Sequence, residues 1–144
     1  MKITKSWLSR NSACAEGVSW FAARELSDAG ETIDALLADG KTMWANWLIV
    51  RVLKRRQLIE YAVFAVEQVI GIFEKKHPDD QRPRLAIEAA KAVLKENSNA
   101  AARDAAWAAW AVEAASWAAA EGVEKVMLSK TVKFGISLMR RGKT

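Results

Sequence analysis

The spacing of apolar residues predicts helices along almost the whole chain. No long segment alternates apolar and polar positions as a half-buried strand does, whereas repeats near 3.6 residues recur throughout. The 144 residues fit one domain of common size. We therefore predict an all-α fold over residues 1–144, a compact single-domain bundle of about six to seven helices.

Capping and terminating residues divide this pattern into elements. Asn11 or Ser12 is expected to begin the first helix, with Gly30 after its end, and Gly40 is expected to end the second. Asp80 is expected to cap a later helix that tolerates Pro83 in its first turn. The predicted helices cover about 12–27, a short segment before Gly40, 43–53, 58–75, the segment from Asp80 to Asn97, 100–121 and 124–141.

Two of these helices have unusual compositions. The 58–75 helix is apolar over more than a surface stripe, which predicts a central position. The 100–121 helix is rich in alanine and carries Trp107, Trp110 and Trp117 near one face. We expect it to be the central Ala/Trp-rich helix of the core, and an aromatic platform for bases or a partner is the alternative.

The net charge of +5 is unevenly distributed. Residues 1–121 are formally neutral, whereas the segment after Gly122 carries six basic residues and one acidic residue. An acidic band favours basic partners and is our preferred binding patch; it comprises Glu25, Asp28, Glu31, Asp34 and Asp39. A basic patch is the alternative and would favour polyanions; it comprises Arg51, Lys54, Arg55, Arg56, Lys130, Lys133, Arg140 and Arg141.

Residues for metal binding or catalysis are scarce. A zinc site usually needs three or four His, Cys or carboxylate ligands, and the chain has one cysteine, Cys14, and one histidine, His77. We expect Cys14 to be buried, and we predict no metal, no cofactor and no enzymatic activity. The N-terminus lacks the apolar core of a signal peptide, and no segment suits a bilayer, so we predict a cytoplasmic protein without a membrane anchor.

Glu67 is a carboxylate on a mostly apolar helix, so it needs a partner if it is buried. Arg82 and Arg84 lie at the start of the next helix and can supply one. We predict a buried ion pair between Glu67 and one of these arginines, whose loss would cost about 3–5 kcal/mol. A functional acidic pocket is the alternative.

Several segments together resemble a known family. They are Asn46-Trp47-Leu48, residues 55–68, the run Asp80-Gln81-Arg82-Pro83-Arg84 with residues 86–90, and the Ala-rich helix. They are similar to the immunity protein family with an immunity-five-like helical domain, which occurs beside bacterial polymorphic toxins and in phage genomes. The resemblance covers about residues 12–121, and its most specific part is the Arg-Pro-Arg segment that leads into the Ala-rich helix. The basic helix of residues 122–144 lies outside it.

The resemblance implies a cytosolic protein that sequesters a toxin or another attacking protein and has no enzymatic residues. We therefore expect a non-enzymatic immunity or inhibitor protein, encoded by a phage or mobile element. A phage anti-defence or nucleic-acid-binding factor that uses the basic tail is the alternative. The expected partner is a protein, nucleic acid is less favoured, and the oligomeric state is left open.

Overall fold

The computed structural model describes residues 1–96 and 124–141, except for the side chains of residues 96 and 124–126. These two ranges form eight helices and no strand, with one isolated bridge between Lys2 and Asp28. The all-α prediction is confirmed. The 100–121 helix, predicted to be central, lies outside the described ranges. The helices are α1 (Lys5–Arg10), α2 (Ala15–Ala22), α3 (Ala29–Ala38), α4 (Thr42–Val52), α5 (Arg55–Glu67), α6 (Ile70–Lys76), α7 (Arg82–Glu96) and α8 (Glu124–Arg141).

The chain divides into two compact units, Met1–Val52 and Leu53–Thr144. In the first unit α1 packs against α2 and α3 packs against α4. In the second unit α5 contacts α6, α7 and α8, so the central position predicted for this part of the chain is found within that unit. The single-domain prediction concerns how the two units combine and stays a prediction.

The beginning of the chain differs from the prediction. A short helix, α1, is capped by Thr4, whose hydroxyl accepts the Trp7 N–H at 3.1 Å. The backbone then turns at Ser12, where φ is 60°. Cys14 caps α2, because its Sγ accepts the Gly17 N–H at 3.3 Å. A capping residue stands outside the buried stripe of its helix, so Cys14 is exposed and its predicted burial is wrong.

The start of α3 also corrects a prediction. The Asp28 carboxylate caps this helix by accepting the N–H groups of Gly30 at 2.8 Å and Glu31 at 3.4 Å. Gly30 therefore lies in the first turn of α3 and does not terminate a preceding helix. Gly40 follows α3 with a φ of 69°, a left-handed conformation that glycine adopts readily, so its predicted role as a terminator is confirmed.

The helix predicted at 58–75 is two helices. The chain leaves the helical path at Val69, where φ is −121°, and the Val69 N–H bonds to the Val66 carbonyl in a tighter turn. The next prediction holds, since α7 begins beside Asp80, which accepts the Arg82 N–H at 3.1 Å, and has Pro83 in its first turn. The bounds of α8, Glu124–Arg141, are those predicted.

The second unit has its core along α5. Val66 packs with Ile87 and Ala90 of α7, and all three are almost completely buried. On the α8 side, the rings of Phe64 and Phe134 stack with their centroids 4.2 Å apart. These contacts fix which residues of α5 face its two neighbours.

Candidate interaction surfaces

The structure pairs Glu67 with Lys91. The Lys91 Nζ lies 2.8 Å from a Glu67 carboxylate oxygen, and both side chains remain about one-third exposed (36% and 37%). The predicted buried pair with Arg82 or Arg84 is therefore wrong, because Glu67 lies at the end of α5 beside a later turn of α7. An ion pair at this degree of exposure contributes little to stability.

Arg82 and Arg84 bind other carboxylates. Arg82 donates from Nε and Nη2 to Asp80 at 2.8 and 2.6 Å, and Arg84 donates from the same atoms to Glu74 at 2.8 and 2.7 Å. The hydrogen bonds from Arg82 lower the pKa of Asp80 to about 2, and those from Arg84 lower the pKa of Glu74. Carboxylates held in this way are weak proton acceptors, so the two pairs are suited to fixing the turn between α6 and α7.

The turn between α6 and α7 borders an open cavity of about 600 Å³. Its lining is mostly polar, but it includes Leu85, the most exposed large apolar residue among those described, at 64%. The cavity is formed by one continuous segment of chain, residues 76–82 with Leu85. It offers an apolar contact beside His77 and the Asp80–Arg82 pair.

Two members of the predicted acidic patch have partners within the fold. Asp28 caps α3 and also accepts from the N-terminal ammonium group at 3.2 Å. Asp39 accepts a hydrogen bond from Trp20 Nε1 at 2.7 Å and one from Arg24 Nη2 at 2.6 Å. These two carboxylates therefore stabilise local structure before any partner binds.

The other members of that patch are Glu25, Glu31 and Asp34. All three side chains are exposed; Glu31 and Asp34 lie on α3, and Glu25 precedes that helix. We call these three residues the acidic surface. It is smaller than the predicted patch because the structure uses Asp28 and Asp39 elsewhere.

The basic patch draws on residues that the structure brings together from distant parts of the second unit. Gln57 near the start of α5 donates from Nε2 to the Leu138 carbonyl near the end of α8, at 2.5 Å. Glu60 lies between Arg56 and Arg141, at 3.7 and 3.6 Å. The first turn of α5 and the last turn of α8 thus form one basic end of this unit.

Five further members of the basic patch are exposed in the same unit. They are Lys54, Arg55, Lys130, Lys133 and Arg140. Arg51 belongs to the first unit, where its guanidinium lies 3.9 Å from the centroid of the Trp47 ring and donates to the Trp47 carbonyl. The predicted patch is thus divided between the two units.

Two tryptophan pairs in the first unit were not predicted as a site. Trp7 meets Trp47, and Trp20 meets Trp44, each pair edge to face with ring centroids 6.4 Å apart. All four side chains are partly exposed. The spacing of three between Trp44 and Trp47 places them on one face of α4, which is the signal in the sequence that could have indicated this arrangement.

Cations cover rings of both pairs. Arg24 lies over Trp20 and Lys41 lies over Trp44, each 4.1 Å from the ring centroid. Arg51 lies over Trp47 in the other pair. Contacts of this length are favourable cation–π interactions, and they hold flexible basic side chains in fixed positions.

Neither a metal centre nor a membrane span is found in the described part of the chain. Within residues 1–96 and 124–141, no three His, Cys, Asp or Glu side chains are grouped so that they could hold a metal ion. None of the helices in these ranges is both long and apolar enough to cross a membrane.

Comparison with known proteins identifies one family. The sequence profile described as Imm-5 like putative immunity protein matches residues 49–131. The match begins near the end of α4 and ends inside α8, so it starts later than the predicted resemblance over 12–121 and extends into the basic C-terminal helix. No curated protein and no solved structure matches the chain.

Proposed function

Since the chain belongs to the Imm-5 like putative immunity protein family, which more than half of its length matches, we propose that it binds and neutralises a toxin or another effector protein. The family match is the observation that carries this proposal. The mechanism is occlusion by binding, without chemistry on the partner. In this proposal the protein acts in the cytoplasm of a bacterial cell and is encoded by a phage or mobile element.

The acidic surface is the proposed contact for a basic effector. Glu25, Glu31 and Asp34 are exposed and lie close in sequence on or before α3. A basic partner, such as a nuclease with a cationic substrate groove, would be steered toward these carboxylates. Binding there would cover the groove and exclude the substrate.

A co-expression experiment tests this function. The toxin-like product of a gene adjacent to the one that encodes this chain is expressed in bacterial cells with and without the protein. Restored growth together with co-purification of a complex is the expected result. Growth arrest that persists, with no complex, would overturn the proposal.

The contribution of the acidic surface is measured with a triple variant, Glu25→Gln, Glu31→Gln and Asp34→Asn. We expect the association rate with a basic effector to fall by about tenfold or more at low salt, because exposed charges act mainly on encounter. A matched control is Asp79→Asn with Glu88→Gln, two exposed positions of the second unit. Equal rates for the two variants would exclude the acidic surface and leave the neutralising function intact.

Nucleic-acid binding is a second candidate, favoured by the convergence of the first turn of α5 and the last turn of α8. Neutralising Lys130, Lys133, Arg140 and Arg141 to Gln would then flatten the salt dependence by up to about one unit for each phosphate that is no longer neutralised. The primary proposal predicts no measurable duplex binding at about 0.15 M salt in fluorescence anisotropy. Salt-sensitive binding by the parent that disappears in the variant would favour the second candidate.

A further inference from the structure

The Trp7–Trp47 pair differs from the Trp20–Trp44 pair in one respect. In the second pair, both stacked cations have carboxylate partners: Arg24 lies 2.6 Å from Asp39, and Lys41 lies 3.8 Å from Glu16. The position beside a stacked cation is thus occupied by a carboxylate from the chain itself. The two pairs share geometry and can be compared directly.

Arg51 is stacked in the same way but has no such partner among the described residues. Its guanidinium donates from Nη1 to the carbonyl of Trp47 on its own helix, at 3.2 Å. The side chain is exposed, so the remaining N–H groups of the guanidinium face solvent. Stacking on the indole ring fixes the plane of these donors, which suits bidentate binding of a carboxylate.

The surroundings of this pair are basic. Neither α1 nor α4 contains an aspartate or a glutamate, whereas α1 contains Lys5 and Arg10 and α4 contains Arg51. Arg10 follows Trp7 by three positions and therefore lies one turn along the same face of α1. We define the basic tryptophan surface as Trp7, Arg10, Trp47 and Arg51.

We propose that the basic tryptophan surface binds an acidic segment of a partner protein. Arg51 holds a carboxylate of that segment, in the position that Asp39 takes beside Arg24, and a neighbouring apolar side chain packs on the exposed parts of the indole rings. Tryptophan and arginine are the residues most often found at the energetic centres of protein interfaces. The family match begins at residue 49, after all of this surface except Arg51, and the inference does not depend on the proposed function.

The geometry favours a carboxylate over a nucleic-acid base. Base stacking requires an open ring face, but a face of Trp47 is covered by Arg51, and the Trp7 ring meets Trp47 edge to face at an interplanar angle of 82°. The donors of Arg51 are the groups left accessible. A protein segment that offers a carboxylate beside an apolar residue satisfies both parts of the surface.

The test uses the full chain and a fluorescein-labelled peptide in which glutamate alternates with leucine. Anisotropy titrations at about 0.15 M salt compare it with the same peptide carrying glutamine. We expect the glutamate peptide to bind and the glutamine peptide to bind much more weakly. Arg51→Gln is expected to reduce the affinity by about tenfold or more, and Arg51→Lys by less, because lysine keeps the charge but loses the planar fork.

Two further variants control for folding and for general charge. Arg10 is exposed, and Arg10→Gln is expected to weaken binding severalfold without changing the helical circular dichroism spectrum. Lys75→Gln removes an exposed charge from α6 in the other unit and is expected to leave the affinity unchanged.

Four outcomes would overturn the proposal. They are no binding of the glutamate peptide, equal binding of both peptides, an equal decrease in affinity for Lys75→Gln and Arg51→Gln, and tighter binding of a 20-base-pair duplex that Arg51→Gln abolishes. Self-association of the parent that Arg51→Gln dissociates, measured by sedimentation, would assign the surface to a second copy and overturn the proposal as well.

Discussion

Single side chains decide where the helices of the first unit begin. Asp28 is the most heavily used of them, because its carboxylate accepts two backbone N–H groups of α3 and also the N-terminal ammonium group. The nearby backbone follows the same contact, since Ala29 N–H bonds to the Met1 carbonyl and Ile3 N–H bonds to the Ser27 carbonyl. One acidic residue thus joins the start of the chain to the start of a helix.

Replacing Asp28 tests this role. Asp28→Ala is expected to lower the free energy of unfolding by about 1 kcal/mol, the usual cost of losing an N-cap. Asp28→Asn should cost less, because the amide oxygen can still accept from the helix. Urea unfolding measures both changes. Asp79→Ala, in an exposed turn, is the control and should leave the midpoint unchanged.

The effect should depend on pH in a defined direction. Burial raises the pKa of Asp28, but hydrogen bonds from the N-terminus, Gly30 and Glu31 outweigh it and hold the pKa below its ordinary value of 3.8. A lowered pKa stabilises the fold above the unfolded pKa, and this stabilisation is lost as the pH falls through the folded pKa. The difference between parent and Asp28→Asn should therefore shrink below about pH 3.8; a constant difference would contradict the assignment.

Helix packing in the second unit depends on apolar contact more than on ion pairs. Ile87 is fully buried between α7 and α5, at 0% exposure, whereas Glu67 and Lys91 pair at the edge of the same contact. An exposed pair loses most of its attraction to solvent screening and to the entropy of its side chains. The buried methylene groups have no such compensation.

Two variants compare these contributions. Ile87→Ala should lower the free energy of unfolding by about 2–5 kcal/mol, because it removes buried surface and leaves a cavity. Glu67→Gln should change it by less than about 1 kcal/mol. Thermal and urea unfolding distinguish the two. A decrease of several kcal/mol for Glu67→Gln would restore the buried ion pair that the sequence predicted.

For the molecule as a whole, the basic C-terminal helix belongs to a core and is not an appendage. Val132 and Leu138 of α8 are buried, and Phe134 stacks on Phe64 of α5 within the second unit. The charge distribution along the sequence favours a separable segment, because the remainder of the chain is formally neutral. The contacts indicate instead that its charged side chains can be changed but its apolar face cannot.

The contrast can be measured within α8. Replacing Lys130, Lys133, Arg140 and Arg141 with Gln should change the free energy of unfolding by no more than about 1 kcal/mol, since these side chains are exposed. Leu138→Ala should cost about 2–5 kcal/mol. If the four Gln substitutions unfolded the second unit, the Arg141–Glu60 contact would be more important than its 3.6 Å distance and exposure indicate.

The sequence by itself determined the all-α class, the bounds of α8, the start of α7 at Asp80 and Pro83, and the end of α3 at Gly40. These features are local, because periodicity, caps and left-handed glycine conformations act over a few residues. It also determined the family, since the matching segments are linear motifs.

Only the tertiary structure decided which charges meet. Lys91, not an arginine, reaches Glu67, and Asp39 binds Trp20 and Arg24 across 19 and 15 positions of sequence. Such contacts depend on which helices pack together and at what offset. The amphipathic pattern specifies that a helix has an apolar face, but it does not specify which helix covers that face or which polar side chains then lie within bonding distance.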